Sequence, residues 1–231
     1  MIDIGINTGV VKPFECLKEG LNLIKPHYPI VLAVTFVGML VAGFVPFGIA
    51  IGAVFCGIYA TLFRILDGDE PHFEDLFIGL KYFVPSLVAT LILVVPSIFL
   101  GIIFSIPAVM IWARVVQDPN LTPNEIFGYS GFLIAETLIA VIILGFLQAF
   151  LFFAYPLIVE YNLGGWDAFS LSARGVWKNL GGVAGFIVLE CIIGLIGGLL
   201  CFIGVYLVMP IFFAGALVAY KKVFDRSNLV N

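Results

Sequence analysis

Four long apolar blocks dominate this chain and limit what it can fold into: Pro26 to Phe63, Tyr82 to Ala113, Ile126 to Val159 and Asn179 to Tyr220, each 32 to 42 residues long. The first two contain no Lys or Arg, and the last two carry no charge except Glu136 and Glu190. A helix crossing about 30 Å of hydrocarbon needs roughly 20 residues, so one crossing per block wastes residues and two barely fit. Composition agrees with a membrane solvent. The chain is 62% apolar and 11% charged, against about 45 to 50% and about 25% in a soluble domain. A net charge of -4 without a basic stripe excludes a nucleic-acid partner.

The basic residues choose between one crossing and two. All eleven lie in the termini or in connectors: Lys12, Lys18, Lys25, Arg64, Lys81, Arg114, Arg174, Lys178, Lys221, Lys222 and Arg226. If every block is a hairpin, all of them fall on one face, which the positive-inside rule makes cytoplasmic. The opposite turns, near Val45 to Gly48, Pro96 to Gly101, Gly145 to Gln148 and Gly197 to Gly204, are then uncharged. Trp112, Trp166 and Trp177 sit near charged block ends, as interfacial rings do. The expected fold is an all-α integral membrane protein with about eight (six to eight) transmembrane or re-entrant helices in four hairpins. Its N- and C-termini are cytoplasmic. An acidic residue at Asp3 and a first apolar run starting only at Ile30 argue against a cleavable signal peptide.

A pattern, FExLxxGL-x4-P, occurs at Phe14 to Pro26 and again at Phe73 to Pro85, an offset of 59. Thr122-Pro123-Asn124-Glu125 is a weaker echo that reads as a capping box with a first-turn proline, and Phe169 to Gly175 is another. These divide one polytopic domain, 1–231, into four modules, approximately 8–65, 66–117, 118–163 and 164–224. Each is expected to place a short amphipathic helix in the interface before its hairpin. Val10, Phe14, Leu17, Leu21 and Ile24 share one face of the first such helix. Gly20 and Gly79 would let these helices press on the hairpin that follows, and Phe14 and Phe73 open the two copies of this interfacial repeat.

The runs Tyr155 to Glu160 and Gly164 to Arg174, with Met209-Pro210 and Ala219-Tyr220, resemble a poorly characterised family of prokaryotic polytopic membrane proteins. That family is related to the membrane domain attached to some glycerophosphodiester phosphodiesterases. The resemblance implies a fold and a prokaryotic cytoplasmic (inner) membrane. It implies no catalytic residue.

Glu190 is the leading candidate for an intramembrane proton or ion site, since a carboxylate at depth is costly unless protonated, paired or facing a polar cavity. Glu136, counted as about one and a half turns from a charged end, is expected to snorkel to the interface. The five acids and His72 between Asp67 and Asp75 match no calcium loop and read as helix capping. Cys16, Cys56, Cys191 and Cys201 show no metal or disulfide spacing. No metal or cofactor is expected. Gly48, Gly52, Cys56 and Ala60 form a small-residue stripe for helix packing, internal or between copies. No nucleotide-binding or hydrolase motif is present, so an enzyme is not expected. The leading expectation is a transporter or channel-like carrier of a small or lipidic solute. The alternative is a non-enzymatic scaffold or accessory subunit that binds membrane lipids, a partner membrane protein or its own copies.

Overall fold

The computed structural model describes residues 5–45, 48–118, 121–199 and 203–224, and these are helical almost throughout. The helices are α1 (Pro13–Ile24), α2 (Tyr28–Phe44), α3 (Ile51–Asp67), α4 (Asp75–Ile78), α5 (Phe83–Gln117), α6 (Pro123–Ala149), α7 (Ala154–Tyr161), α8 (Gly165–Lys178), α9 (Leu180–Leu199) and α10 (Ile203–Val223). Short 3-10 turns link α1 to α2 and α4 to α5. Five stretches are long and apolar enough to cross a membrane: Pro13–Phe44, Asp75–Gln117, Pro123–Tyr161, Leu180–Gly198 and Gly204–Val223. The protein is an all-helical membrane protein with several apolar spans. α3 is shorter, at 17 residues, and is buried on most of its surface.

Two of the four expected turns are not where the glycines and prolines placed them. α5 runs unbroken through Pro96 and Gly101, and α6 runs unbroken through Gly145 and Gln148. Proline and glycine mark turns in water, but leaving a helix inside hydrocarbon strands backbone N–H and C=O groups that nothing there can satisfy. Continuing the helix loses only the bond each proline cannot make. The chain leaves α6 later, at Phe150 to Phe153, where Ser172 supplies the missing partner: its hydroxyl accepts from the Phe153 N–H at 3.0 Å and donates to the Phe150 carbonyl at 2.6 Å. α2 and α3 pack together, as do α9 and α10. Pro46 and Phe47 of the expected first turn, and 200–202 of the fourth, lie outside the described residues.

Separate interfacial helices are likewise fewer than expected. α1 and α8 are separate amphipathic helices, α4 is a single turn, and among the described residues none lies between α5 and α6. The Thr122 capping box is present but starts α6 itself. Glu125 accepts from the Thr122 N–H at 2.9 Å and from its hydroxyl at 2.7 Å.

The chain forms two compact units. Unit 1 comprises Met1–Thr90 and Ala149–Asn231, and unit 2 is Leu91–Gln148. In unit 1, α3 lies against α2, α4, α7 and α10. Its Phe55 meets Tyr155 and Phe213 edge-on at 5.2 and 5.1 Å, and Tyr59 meets Phe213 at 5.7 Å. Unit 2 is built otherwise. It holds most of α5 and α6, and among its described residues only Leu93 is buried.

Candidate functional site

The glycines of the FExLxxGL pattern sit at close backbone approaches in unit 1, but against a different hairpin from the expected one. A Cβ on Gly20 would lie 2.5 Å from the Gly215 nitrogen and 2.7 Å from the Ala214 carbonyl carbon, both on α10. A Cβ on Gly79 would fall on the Ala53 carbonyl oxygen and 2.6 Å from the Gly57 nitrogen, both on α3. The contacts are reciprocal: Gly215 faces Leu17 and Gly57 faces Leu76, the same leucine of the pattern in each copy. Each glycine therefore presses on the helix that closes another module, α10 for α1 and α3 for α4, and not on the hairpin that follows it. Phe14 is 75% exposed, while Cys16, Gly20 and Ile24 form the docking face of α1. Phe73 is half-buried and its ring meets the exposed Phe77 at 6.4 Å.

The small-residue stripe divides. Gly48 lies outside α3 at φ 67, a turn position suited to glycine. Gly52 packs on the Ser86 backbone, and Cys56 and Ala60 are buried. That stripe is spent on packing within unit 1.

The acidic connector is structural as well. Asp75, 2% exposed, accepts from Arg64 Nη1 at 2.5 Å and from the His72 N–H at 2.8 Å. Among the described residues no group of His, Cys, Asp and Glu could hold a metal ion.

Glu190 lies in the middle of α9, exposed at the surface of unit 1 and within electrostatic reach of the buried phenol of Tyr59. Glu136 is not near a helix end. Thirteen residues separate it from Pro123 and thirteen from Ala149, which is about 20 Å each way at 1.5 Å per residue, too far for a glutamate to snorkel. Neither carboxylate has a hydrogen bond or ion pair among the described residues. By contrast, the hydroxyls nearest in type are satisfied by their own helices, Ser130 by the Ile126 carbonyl at 2.9 Å and Thr137 by the Leu133 carbonyl at 2.7 Å.

Sequence reasoning missed a polar cluster at the C-terminal end of α10. Lys221 pairs with Glu160 of α7 at 2.8 Å, and Lys222 pairs with Glu19 of α1 at 2.8 Å. Tyr220 donates to Glu160 at 2.5 Å, and the Lys221 ammonium lies 5.1 Å from the centre of the Phe63 ring. Asn179 fixes the N-terminal segment beside it, accepting from the Val10 N–H at 3.0 Å and donating to the Asn7 carbonyl at 2.8 Å. No periodicity links residues sixty or two hundred positions apart, although Glu160 and Tyr220 both lie in the runs that carry the family resemblance.

Comparison with family models, with curated proteins and with solved structures finds no match to this chain.

Proposed function

We propose that this chain is a non-enzymatic membrane scaffold subunit that crosses the membrane six times and associates with its own copies through unit 2. Crossings by α2, α3, α5, α6, α9 and α10 return the chain to its starting side. Reading blocks two and three as one crossing each moves Arg114 alone across, and the other ten basic residues keep one side. That pattern supports a cytoplasmic placement of both ends. The resemblance of 155–174 and 209–220 to prokaryotic membrane proteins supports a prokaryotic cytoplasmic membrane. The FExLxxGL copies, docking alike on closing helices, support a modular origin of the scaffold.

The observation that carries the reading is unit 2, whose described residues, drawn from two long apolar helices, bury only Leu93 and include Glu136 at the middle of α6. A carboxyl at the centre of a bilayer costs roughly 2.5 to 3.5 kcal/mol or more when unpartnered. Across a two-fold interface, the same carboxyl from a second chain is a self-complementary hydrogen-bond partner. Sedimentation in detergent should show an assembly larger than one chain, and Glu136→Leu should weaken it by about tenfold. A single-chain species indifferent to Glu136→Leu contradicts the reading.

A carrier is the second reading, favoured by Glu190 lying unpaired near Tyr59 at mid-helix. On that reading Glu190→Gln abolishes pH-dependent flux in proteoliposomes. On the scaffold reading it leaves ion permeability at the level of protein-free vesicles.

A further inference from the structure

The polar cluster at the end of α10 borders a cavity of about 420 Å³ lined by Glu19, Glu160, Lys221 and Lys222 together with Leu66, Leu217 and Phe224. We propose that this cavity binds a zwitterion made of a phosphate and a primary ammonium, the headgroup chemistry of an aminophospholipid.

The charge pattern selects that chemistry. Two lysines and two glutamates sum to zero formal charge, so a simple anion entering the cavity gains two ammonium groups but meets two carboxylates. A zwitterion can instead exchange partners, its phosphate taking the lysines and its ammonium the glutamates, with no net change in buried charge. Charge-assisted bonds of this kind are the strong ones. Lys221 and Lys222 are consecutive on α10, yet they turn to different elements, one to α7 and the other to α1. The space between the pairs stays open instead of closing into one salt-bridge cluster. Glu160 is already held by Tyr220 and Lys221 by the Phe63 ring, so half of the cradle is ordered before anything binds.

Position supports a lipid source. Lys221 and Lys222 stand in the last turn of the apolar span Gly204–Val223, where a crossing helix reaches the headgroups. Beside them, α1 turns Phe14 and Leu21 outward. Leu66, Leu217 and Phe224 give the cavity an apolar wall for the stem of the lipid. A primary ammonium can donate hydrogen bonds to Glu19 and Glu160, whereas a quaternary one cannot.

The test uses the full chain in phosphatidylcholine nanodiscs doped with phosphatidylethanolamine or with phosphatidylglycerol. Lipid retained on the protein is measured by native mass spectrometry. Phosphatidylethanolamine is expected to be retained at least about tenfold more strongly than phosphatidylglycerol. Glu160→Gln and Glu19→Gln should each remove that preference, and Glu19, half-exposed, can be changed without a folding risk. Free phosphoethanolamine displacing the retained lipid supports the same chemistry from a soluble source. Equal retention of the two lipids, or a preference unchanged in Glu19→Gln and Glu160→Gln, overturns the proposal. The inference deepens the lipid-binding side of the scaffold reading. Its failure leaves self-association through Glu136 untouched, and loss of that association leaves the lipid preference standing.

Discussion

Gly79→Ala should unfold unit 1 at a temperature well below that of the parent. The new methyl would fall on the Ala53 carbonyl oxygen and within 2.6 Å of the Gly57 nitrogen. These are backbone atoms of a helix and cannot rotate away. The segment carrying Gly79 must lift off α3, which also breaks the reciprocal seat of Leu76 on Gly57. Overpacking of this kind costs about 3 kcal/mol or more, and in a chain of this size each kcal/mol lowers the midpoint by roughly 2 to 4 °C. Gly20→Ala should behave alike, because it meets the backbone of Ala214 and Gly215. Gly128→Ala, in α6 with nothing within 4 Å of the added carbon, is the control. It should be neutral, or slightly stabilising by the roughly 1 kcal/mol that alanine gains over glycine in a helix. Thermal melts of the three variants in one detergent decide the matter, and a Gly79→Ala protein as stable as Gly128→Ala would show that α4 is not seated on α3.

Removing the Asp75 carboxylate is the second large effect. Its side chain is almost wholly buried, and it holds together Arg64 at the end of α3 and the His72 N–H at the entry to α4. Asp75→Ala leaves both donors without that acceptor. Arg64 is 39% exposed and can turn partly to water, so the loss falls below that of a fully buried pair, at about 2 to 4 kcal/mol. Asp75→Asn keeps an acceptor for His72 and should lose about half as much. Chemical denaturation read by tryptophan fluorescence measures both. An Asp75→Ala midpoint equal to the parent's would mean that the connector is held by something other than this carboxylate.

What the sequence could show depended on which solvent its signals refer to. The Thr122 and Glu125 capping box forms as read, because a cap is a local bargain between a side chain and the first N–H groups of its own helix. The helix starting at Pro13 was legible for the same kind of reason, from the spacing of its apolar residues. Pro96, Gly101 and Gly145 misled, since their meaning as turn residues is learned from water and α5 and α6 lie in apolar surroundings. The error was hidden by its own symmetry. On the proposed six crossings, reading two blocks as hairpins leaves the side of every basic residue unchanged except Arg114, so the charge pattern could not expose it. Glu136 was misplaced because eleven residues, about three turns of helix, separate it from Glu125, the charged end from which its depth was counted. The Ser172 staple and the Glu160, Lys221 and Tyr220 cluster depend on which helices become neighbours, and nothing local records that.

Side-specific labelling of single cysteines tests the six-crossing account most directly. In a chain with its native cysteines replaced by alanine, cysteines at Asp67, Gln117 and Lys178 are probed with a membrane-impermeant maleimide in oriented vesicles. The account predicts that Gln117, at the end of α5, is labelled from the side opposite to Asp67 and Lys178. Labelling of all three from one side would restore four hairpins and contradict it.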